Sequence, residues 1–353
     1  MNVKTHGRSQ VTKENHTIYD IAEQAGVSIT TVSRVLRNEK TVSEKTRAVV
    51  EEVIARLNYR PSAIARGMTS KKTNTLGMIL PKLLNPNYAM IFTGATDEAR
   101  KLGYSISLFP WKSLISDDYN PALMLAERRL DGVIINVEYQ SQDDLEKLVS
   151  SLKELRRYMP VTLIGCVPDN FDYPCISNNM AAAVREAVRY LVSLGHERIA
   201  LIGGKQEDQD KNRRDTGFME GLQEARLPFV SSYRVFCGST AEEGEKAMEQ
   251  IYSTLLPAFW PTAVIALNDL VAMGCQKAAR MRGLMLPQDL SVIGCDNLFC
   301  APYMEPALTT IDTHQQKTGA RAVRLLLSGE NKREAGDWEF VYRDSCARIK
   351  PVE

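Results

Sequence analysis

Hydrophobic positions change their spacing near residue 74, and this change predicts two structural regions. Before it, apolar residues recur every three or four positions, which is the spacing of helices that bury one face. Three such stretches lie between Thr17 and Leu57, separated by breaks at Gly26 and before Ser43. After it, apolar runs such as TLGMILP and DGVIINV alternate with amphipathic stretches. That alternation is typical of buried parallel strands and the helices that connect them.

The first region predicts three short helices around one small core. Thr17, Ser28 and Ser43 stand at helix N-cap positions, and Gly26 suits a tight turn between the first two helices. The predicted inward residues are Ile18, Ile21, Ala22, Ala25, Val32, Val35, Leu36, Val49, Val50, Val53, Ile54 and Leu57. The second helix keeps Ile29, Thr30, Ser33 and Arg34 on its outward face. Two helices that cross at a three-residue turn in this way form a helix-turn-helix.

A short segment, SAIARGM, follows Pro61 and is helical by pattern. Proline pre-sets the first turn of a helix, but a segment of this length is not stable alone. Gly67 weakens it further. A short helix and an ordinary linker are therefore both open at this point.

The second region predicts two successive βαβ series of similar length. The first runs from TLGMILP through YSISLFP and DGVIINV to VTLIGCV, and the second from CISN through RIALIGG, RVFCG and AVIALN to LSVIGCD. The predicted fold class is thus an N-terminal all-α domain followed by an α/β core of two doubly wound parallel-sheet lobes, resembling periplasmic binding proteins. Ligands of open α/β sheets bind at the carboxyl ends of the strands, so a cleft between the lobes is the expected ligand site.

Charge separates the two regions as well. Residues 1–73 carry 13 lysines and arginines against seven acidic side chains, a net charge of +6, although the whole chain of 353 residues carries only +1. A basic head on a mildly acidic body favours binding to nucleic acid, because neutralising phosphates supplies sequence-independent affinity.

Composition narrows the classes of function. No apolar run approaches the roughly 18 residues that span a bilayer, and the polar start lacks a signal core, so a cytoplasmic protein is expected. Seven irregularly spaced cysteines fit reduced thiols, and no metal or cofactor is expected. The phosphate-loop, GxSxG and HExxH motifs are absent, so the prediction is that the protein is not an enzyme.

The motifs TIYDIAEQAGVS, TTVSRVL, VSEKTR and LNYRPSAIARGM resemble the LacI/GalR family of transcriptional repressors. The resemblance continues through GHERIALIGG, RRDTGFMEGL, VIALNDLVAMG, LSVIGCDN and PALTTI. It implies a DNA-reading head, a hinge helix that folds on DNA and inserts an apolar side chain into the minor groove, and a chain that crosses three times between the lobes. The proximal lobe is expected to hold Leu76 to Cys175 and a helix near Gln315–Leu327. The distal lobe is expected to hold Ile176 to Ala307 and the strand WEFVYRDS.

Together these arguments predict four segments and a set of DNA-binding residues. The segments are a disordered basic tail at 1–16, the helix-turn-helix domain at 17–60, the hinge helix and linker at 61–73, and the two-lobed effector-binding and dimerisation core at 74–353. The predicted DNA-binding residues are Thr17, Ile18, Ser28, Ile29, Thr30, Ser33, Arg34, Ser43, Thr46, Arg47, Tyr59, Ser62, Ala65 and Met68. Ile29, Thr30 and Arg34 are expected to read bases. The residues expected mostly to hold phosphates are Thr17, Ser28, Ser43, Thr46 and Arg47. Met68 stands where the family commonly has leucine.

The resemblance also implies an effector site made of Asn87, Tyr88, Arg214, Asn268 and Asp296. The Arg214 guanidinium suits vicinal hydroxyls or a carboxylate, and the buried Asp296 carboxylate suits sugar hydroxyls. Asn268 and Asp296 have a second possible role as helix caps. Three departures from the family pattern weaken the prediction of a simple hexose-binding pocket. They are Ser239, Gly165 and the stretch NNMAAA. A sugar derivative, a nucleoside or another small polar ligand therefore remains open.

The sequence thus predicts a sequence-specific DNA-binding transcriptional regulator, expected to be a repressor. It would bind a palindromic operator as a homodimer, and a small carbohydrate-like metabolite would control it. A regulator governed mainly by a protein corepressor, and a two-lobed solute-binding receptor, are the alternatives. The DNA-binding head argues against the receptor. The lack of heptads near the C-terminus argues against a tetramer built on a terminal coiled coil.

Overall fold

The computed structural model describes residues 16–36, 39, 41–59, 72–82, 84–115, 120–137, 141–177, 179–204 and 213–349. Contacts divide the chain into two compact units, Met1–Thr73 and Asn74–Glu353. We call the first unit the head and the second the core.

The head contains the three predicted helices, α1 (Ile18–Ala25), α2 (Ile29–Leu36) and α3 (Glu44–Arg56). A capping box opens α1: the Thr17 side chain accepts from the Asp20 amide, and the Asp20 carboxylate accepts from the Thr17 amide at 2.6 Å. Gly26 ends α1 in the left-handed conformation, with φ of 65°, as the sequence predicted.

The head core is small and is closed by all three helices. Its buried hydrophobic residues are Ile21, Ala22, Val32, Val35, Val50, Val53 and Tyr59. The prediction that Val49 is buried is wrong, because its side chain is 41% exposed. Only two short helices cover α3, so the stripe they bury is narrow and Val49 lies beside it.

The first lobe of the core is a six-stranded, fully parallel sheet. Its strands are β1 (Thr75–Leu80), β2 (Ser105–Pro110), β3 (Val133–Val137), β4 (Val161–Gly165), β5 (Cys175–Ser177) and β11 (Arg333–Ala335), in the spatial order β11-β5-β4-β3-β1-β2. Its helices are α4 (Pro86–Lys101), α5 (Lys112–Ile115), α6 (Pro121–Glu127), α7 (Gln142–Leu155) and α12 (Gln315–Ser328).

The second lobe is a six-stranded sheet that is parallel except for its last strand. Its strands are β6 (Ile199–Ile202), β7 (Arg234–Val235), β8 (Ala263–Ala266), β9 (Ser291–Cys295), β10 (Thr309–Asp312) and β12 (Glu339–Val341), in the order β12-β10-β9-β8-β6-β7, with β12 antiparallel to β10. Its helices are α8 (Ala181–Ser193), α9 (Arg214–Glu224), α10 (Ala241–Thr254) and α11 (Asp269–Met281). The predicted fold class is confirmed.

The chain passes between the lobes three times, after β5, after β10 and after β11. The expectation that the distal lobe begins at Ile176 is wrong, since Ile176 pairs with Ile164 of β4 in the first sheet. Strand β11, which extends the first sheet beyond β5, was not predicted from the sequence. Three residues without a clear alternation give little sequence signal for an edge strand.

Two glycines allow α12 to lie directly against α4, and this contact holds the returning chain in the first lobe. A Cβ at Gly94 would overlap the carbonyl oxygen of Gln316, and a Cβ at Gly319 would overlap that of Ile91. The helices therefore touch backbone to backbone.

We predict that Gly94→Ala destabilises the protein by about 2 kcal/mol or more, because an overlap with backbone cannot be relieved by a side-chain rotation. Thr93→Ala, at the exposed neighbouring position, is the control and should change stability by less than about 0.5 kcal/mol. Thermal unfolding followed by circular dichroism measures both. Equal effects of the two variants would show that the helices can separate without loss.

Candidate functional site

The outward face of α2 presents the residues predicted to read bases. Ile29 is 40% exposed although it is apolar, and Thr30 and Arg34 are exposed beside it. Ser28 caps this helix by accepting a hydrogen bond from the Thr31 amide at 3.2 Å. An exposed isoleucine at the first turn of a recognition helix is suited to contact a thymine methyl group.

Hydrogen bonds order the residues predicted to contact phosphates. The Ser43 hydroxyl accepts from the Thr46 amide at 3.2 Å and lies 2.8 Å from the Thr46 hydroxyl. Arg47 donates to the carbonyl oxygen of Glu39 at 2.7 Å. The chain before α3 is therefore tied to the start of that helix.

Other predicted DNA-binding residues are less accessible or lie outside the described residues. Ile18 is half-buried against the head core, and Tyr59 is only 8% exposed, so burial raises the pKa of its phenol. Ser33 is half-buried. Ser62, Ala65 and Met68 lie outside the described residues. The DNA contacts of all these side chains stay predictions.

A cavity of about 230 Å³ lies between the two lobes, at the carboxyl ends of their strands. All five predicted effector residues line it: Asn87, Tyr88, Arg214, Asn268 and Asp296. The first two belong to the first lobe and the other three to the second. Residues that are up to 209 positions apart, from Asn87 to Asp296, thus face one space. Their contact with an effector stays a prediction.

Asp296 forms the floor of this cavity and is 5% exposed. It follows β9 with a backbone φ of 110°, a conformation that residues other than glycine rarely adopt. Its carboxylate accepts a hydrogen bond from Gln315 Nε2 at 3.2 Å. Since Gln315 opens α12 of the first lobe, this bond joins the two lobes.

Burial dominates the electrostatics of the cavity floor. It raises the pKa of Asp296 well above the usual range, and the nearby carboxyl of Asp269 raises it further, whereas Arg214 opposes the shift. Burial also raises the pKa of Asp269 to about 6, although its carboxylate accepts from the Thr310 hydroxyl at 2.5 Å and from the Leu298 amide at 2.6 Å.

Asn268 caps α11, which confirms one of the two roles that the sequence left open. Its Oδ1 accepts from the Val271 amide at 2.8 Å, and its Nδ2 donates to the Ser239 carbonyl at 3.0 Å. Both ends of the amide are therefore already bonded. An effector contact by Asn268 would need to use a second lone pair or replace the bond to Ser239.

The first-lobe wall contains a residue that the sequence analysis missed. Asn136 in β3 is 6% exposed, lines the cavity, and makes no side-chain hydrogen bond to any residue that the structure describes. A Cβ at Gly165 would stand 2.9 Å from its Oδ1, so the glycine leaves room for this amide. Asn87 Oδ1 is also buried in this wall and lacks a hydrogen-bond partner among the described residues. The sequence signal that could have identified Asn136 is a polar residue within the otherwise apolar strand VIINV.

An ion pair that was also missed holds the second-lobe wall. The Arg234 guanidinium contacts both oxygens of Asp215, at 2.5 and 3.1 Å, and donates to the Gly203 carbonyl at 2.8 Å. The Arg234 side chain is only 8% exposed. Because Asp215 follows Arg214 on the first turn of α9, this pair fixes the helix end that carries Arg214.

One group of side chains has the composition of a metal site, namely Asp312, His314 and Glu339. His314 Nδ1 lies 3.5 Å from Asp312 Oδ1, and its Nε2 lies 3.9 Å from Glu339 Oε2. The Asp312 oxygens already accept from the His314 amide and from Asn297 Nδ2. Protein groups therefore already occupy both oxygens of the Asp312 carboxylate.

Comparison with known proteins shows which family the chain belongs to. The sequence model for bacterial regulatory proteins of the lacI family matches residues 17–62, and that for the periplasmic binding protein-like domain matches residues 188–346. The HTH-type transcriptional repressor PurR of Pasteurella multocida (strain Pm70) is 32% identical over 317 residues, which cover 90% of this chain and 92% of that protein. The chain belongs to the LacI family. As a family member it is a DNA-binding transcriptional regulator.

Further relatives agree with this assignment. Catabolite control protein A of Priestia megaterium is 34% identical over 319 residues, covering 90% of this chain and 93% of that protein. The crystal structure of the Lac repressor dimer bound to operator and the anti-inducer ONPF superimposes with a TM-score of 0.82 and 27% identity, covering 95% of this chain and all of that one. By name, two of these relatives are repressors and the third is a control protein, and none is named as an enzyme. In the described part of this LacI-family chain, no helix has the length and apolarity needed to cross a membrane.

We predict that Arg234→Lys destabilises the protein by about 2 kcal/mol, since an ammonium cannot bond both carboxylate oxygens and the Gly203 carbonyl together. Arg282→Lys is the control, because its partner Glu249 is 36% exposed and such a pair contributes about 0 to 1 kcal/mol. Urea unfolding compares the two, and similar losses would contradict the structural role of the Asp215 pair.

Proposed function

We propose that this protein is a repressor that binds a near-palindromic operator as a homodimer and is controlled by a small, polar, carbohydrate-like metabolite in the interlobe cavity. The observation that carries the proposal is the shared cavity, in which side chains of both lobes meet. A ligand that touches both lobes binds one closure state better than the other. It shifts the equilibrium between the states by that difference in affinity.

The chemistry of the cavity supports a ligand with several hydroxyl or amide groups. Arg214 supplies a guanidinium, Asp296 a buried carboxyl group, and Asn87 and Asn136 supply amides on the opposite wall. Tyr88 is the single aromatic residue among those that line the described cavity. Polar groups arranged around a small space suit a polyol better than a flat apolar ring.

Coupling to DNA follows from the way the proposed dimer would be built. Two first lobes side by side would carry the two Pro61–Met68 segments, so their spacing would decide whether these segments can pair as helices on the operator. The two heads would then dock symmetrically, which requires an operator with two matching half-sites.

Exchanging the residues Ile29 and Thr30 should change the preferred half-site, because these positions open the recognition helix and face outward. A binding selection on randomised DNA measures this. Thr46→Ala, at a predicted phosphate contact, is the control and should weaken binding to all sequences alike. If the exchange weakened binding but left the selected motif unchanged, the base-reading assignment would be wrong.

Arg214→Ala and Asp296→Ala should each abolish the effector response and leave operator affinity without effector nearly intact. Thermal-shift screening against sugars, sugar phosphates and nucleosides identifies the effector, because a ligand of the native state raises its stability. Operator binding is then followed by fluorescence anisotropy during titration with that effector.

A normal response in both variants would place the effector site elsewhere and favour control by a protein corepressor. Asp296→Asn is the matched variant for folding, because it keeps the shape of the side chain and one acceptor oxygen for Gln315.

A further inference from the structure

Three buried side-chain amides line the interlobe cavity among the described residues, and they differ in their hydrogen bonds. Asn268 and Gln315, which are 5% and 4% exposed, are bonded at both ends of the amide. Asn136 is 6% exposed, and neither its Oδ1 nor its Nδ2 bonds a residue that the structure describes. Asn136 therefore keeps an acceptor and two N–H donors for whatever occupies the cavity.

The strand that carries Asn136 directs its side chain toward the cavity. The residues on either side of it, Ile135 and Val137, pack in the hydrophobic cluster beneath α7, whereas Ile134 packs in the cluster beneath α4 and α12. Because side chains alternate along a strand, Asn136 lies on the same face as Ile134. It stands at the carboxyl end of that face, where Thr318 of α12 also lines the cavity.

A glycine on the adjoining strand leaves room beside the Asn136 amide. Gly165 of β4 pairs with Val137, and a Cβ at Gly165 would stand 2.9 Å from Asn136 Oδ1. The backbone φ of Gly165 is 93°, a conformation that favours glycine. Since Gly165 also lines the cavity, the space beside the amide oxygen is part of that cavity.

An unbonded amide in this strand weakens the fold when the cavity offers it no partner. A buried polar group without a hydrogen bond is destabilising, and a β-branched apolar residue would suit the buried strand better. Positions where a chain breaks such local rules are commonly functional sites. Asn136 therefore has the character of a ligand-binding residue rather than a structural one.

We propose that Asn136 is the residue with which the first lobe selects the effector, and that it binds two adjacent hydroxyl groups of a sugar or polyol. This inference rests on the proposed function, in which a carbohydrate-like metabolite occupies the interlobe cavity. One hydroxyl donates to Oδ1 while its neighbour accepts from Nδ2, so both ends of the amide are satisfied together. A ligand that lacks either hydroxyl leaves half of a buried amide unbonded and binds more weakly.

The first test measures the full chain without any ligand. Asn136→Val should raise the melting temperature by about 2 °C or more, because an apolar side chain replaces the unbonded amide. Asn268→Val is the matched control at similar burial in the same cavity. It should lower the melting temperature, since it leaves the Val271 amide and the Ser239 carbonyl without their partner.

The second test uses D-glucose, D-galactose, D-ribose, ribitol, D-glucose 6-phosphate and uridine as probes, at up to about 10 mM. Calorimetry with a probe that binds the wild type should show binding about tenfold weaker or more in Asn136→Val and in Asn136→Ala, which only removes atoms. A deoxy analogue that binds the wild type more weakly than its parent should bind Asn136→Ala as well as the parent does. A gain in stability without the probe and a loss of affinity for it are not expected together of a structural residue.

Two results would overturn the role of Asn136. One is a melting temperature of Asn136→Val at or below that of the wild type. The other is a probe that binds Asn136→Ala as tightly as the wild type but fails to bind Arg214→Ala, in which case the proposed function would stand and only this inference would fail. If none of the probes bound the wild type, the carbohydrate-like effector and the role of Asn136 would both be contradicted.

Discussion

The hydrogen bond from Gln315 to the buried carboxyl group of Asp296 is the contact on which the rest of the core depends. It joins the first residue of α12, in one lobe, to the end of β9, in the other, and it forms the floor of the cavity between them. Thr313 supports it by donating to Gln315 Oε1 at 2.6 Å. Asp296 therefore belongs both to the lining of the interlobe cavity and to the junction of the lobes.

The residues that support the floor of the cavity are closely packed. Asp296 adopts a positive φ at the end of β9, and a Cβ at the neighbouring Gly294 would overlap the Asp269 carboxylate. In the first lobe, the glycine contacts between α4 and α12 fix the position of α12 and therefore of Gln315, its first residue. Burial at this floor raises the pKa of both Asp269 and Asp296, and the Asp269 carboxyl raises the pKa of Asp296 further.

Much of this architecture was predictable from local pattern, and the remainder depends on contacts between distant residues. The strands and helices of both lobes follow from hydrophobic periodicity, and the family resemblance supplied Arg214 and Asp296. Asn136 and the pair of Asp215 with Arg234 were missed, since their roles appear only when elements that are distant in the sequence meet. The assignment of Ile176 to the distal lobe failed for a related reason, because a three-residue strand pairs with β4 before the chain crosses.

The central claim is that burial makes Asp296 an unusually weak acid at the junction of the lobes, and its carboxyl group can be observed directly. Carbon-13 NMR of protein labelled at the aspartate carboxyl groups, titrated without ligand, measures its pKa, and Asp296→Asn identifies the resonance. The structure predicts a resonance that titrates well above the ordinary value of 3.8 and disappears in that variant. A resonance of Asp296 that titrates at or below 3.8 would contradict the account.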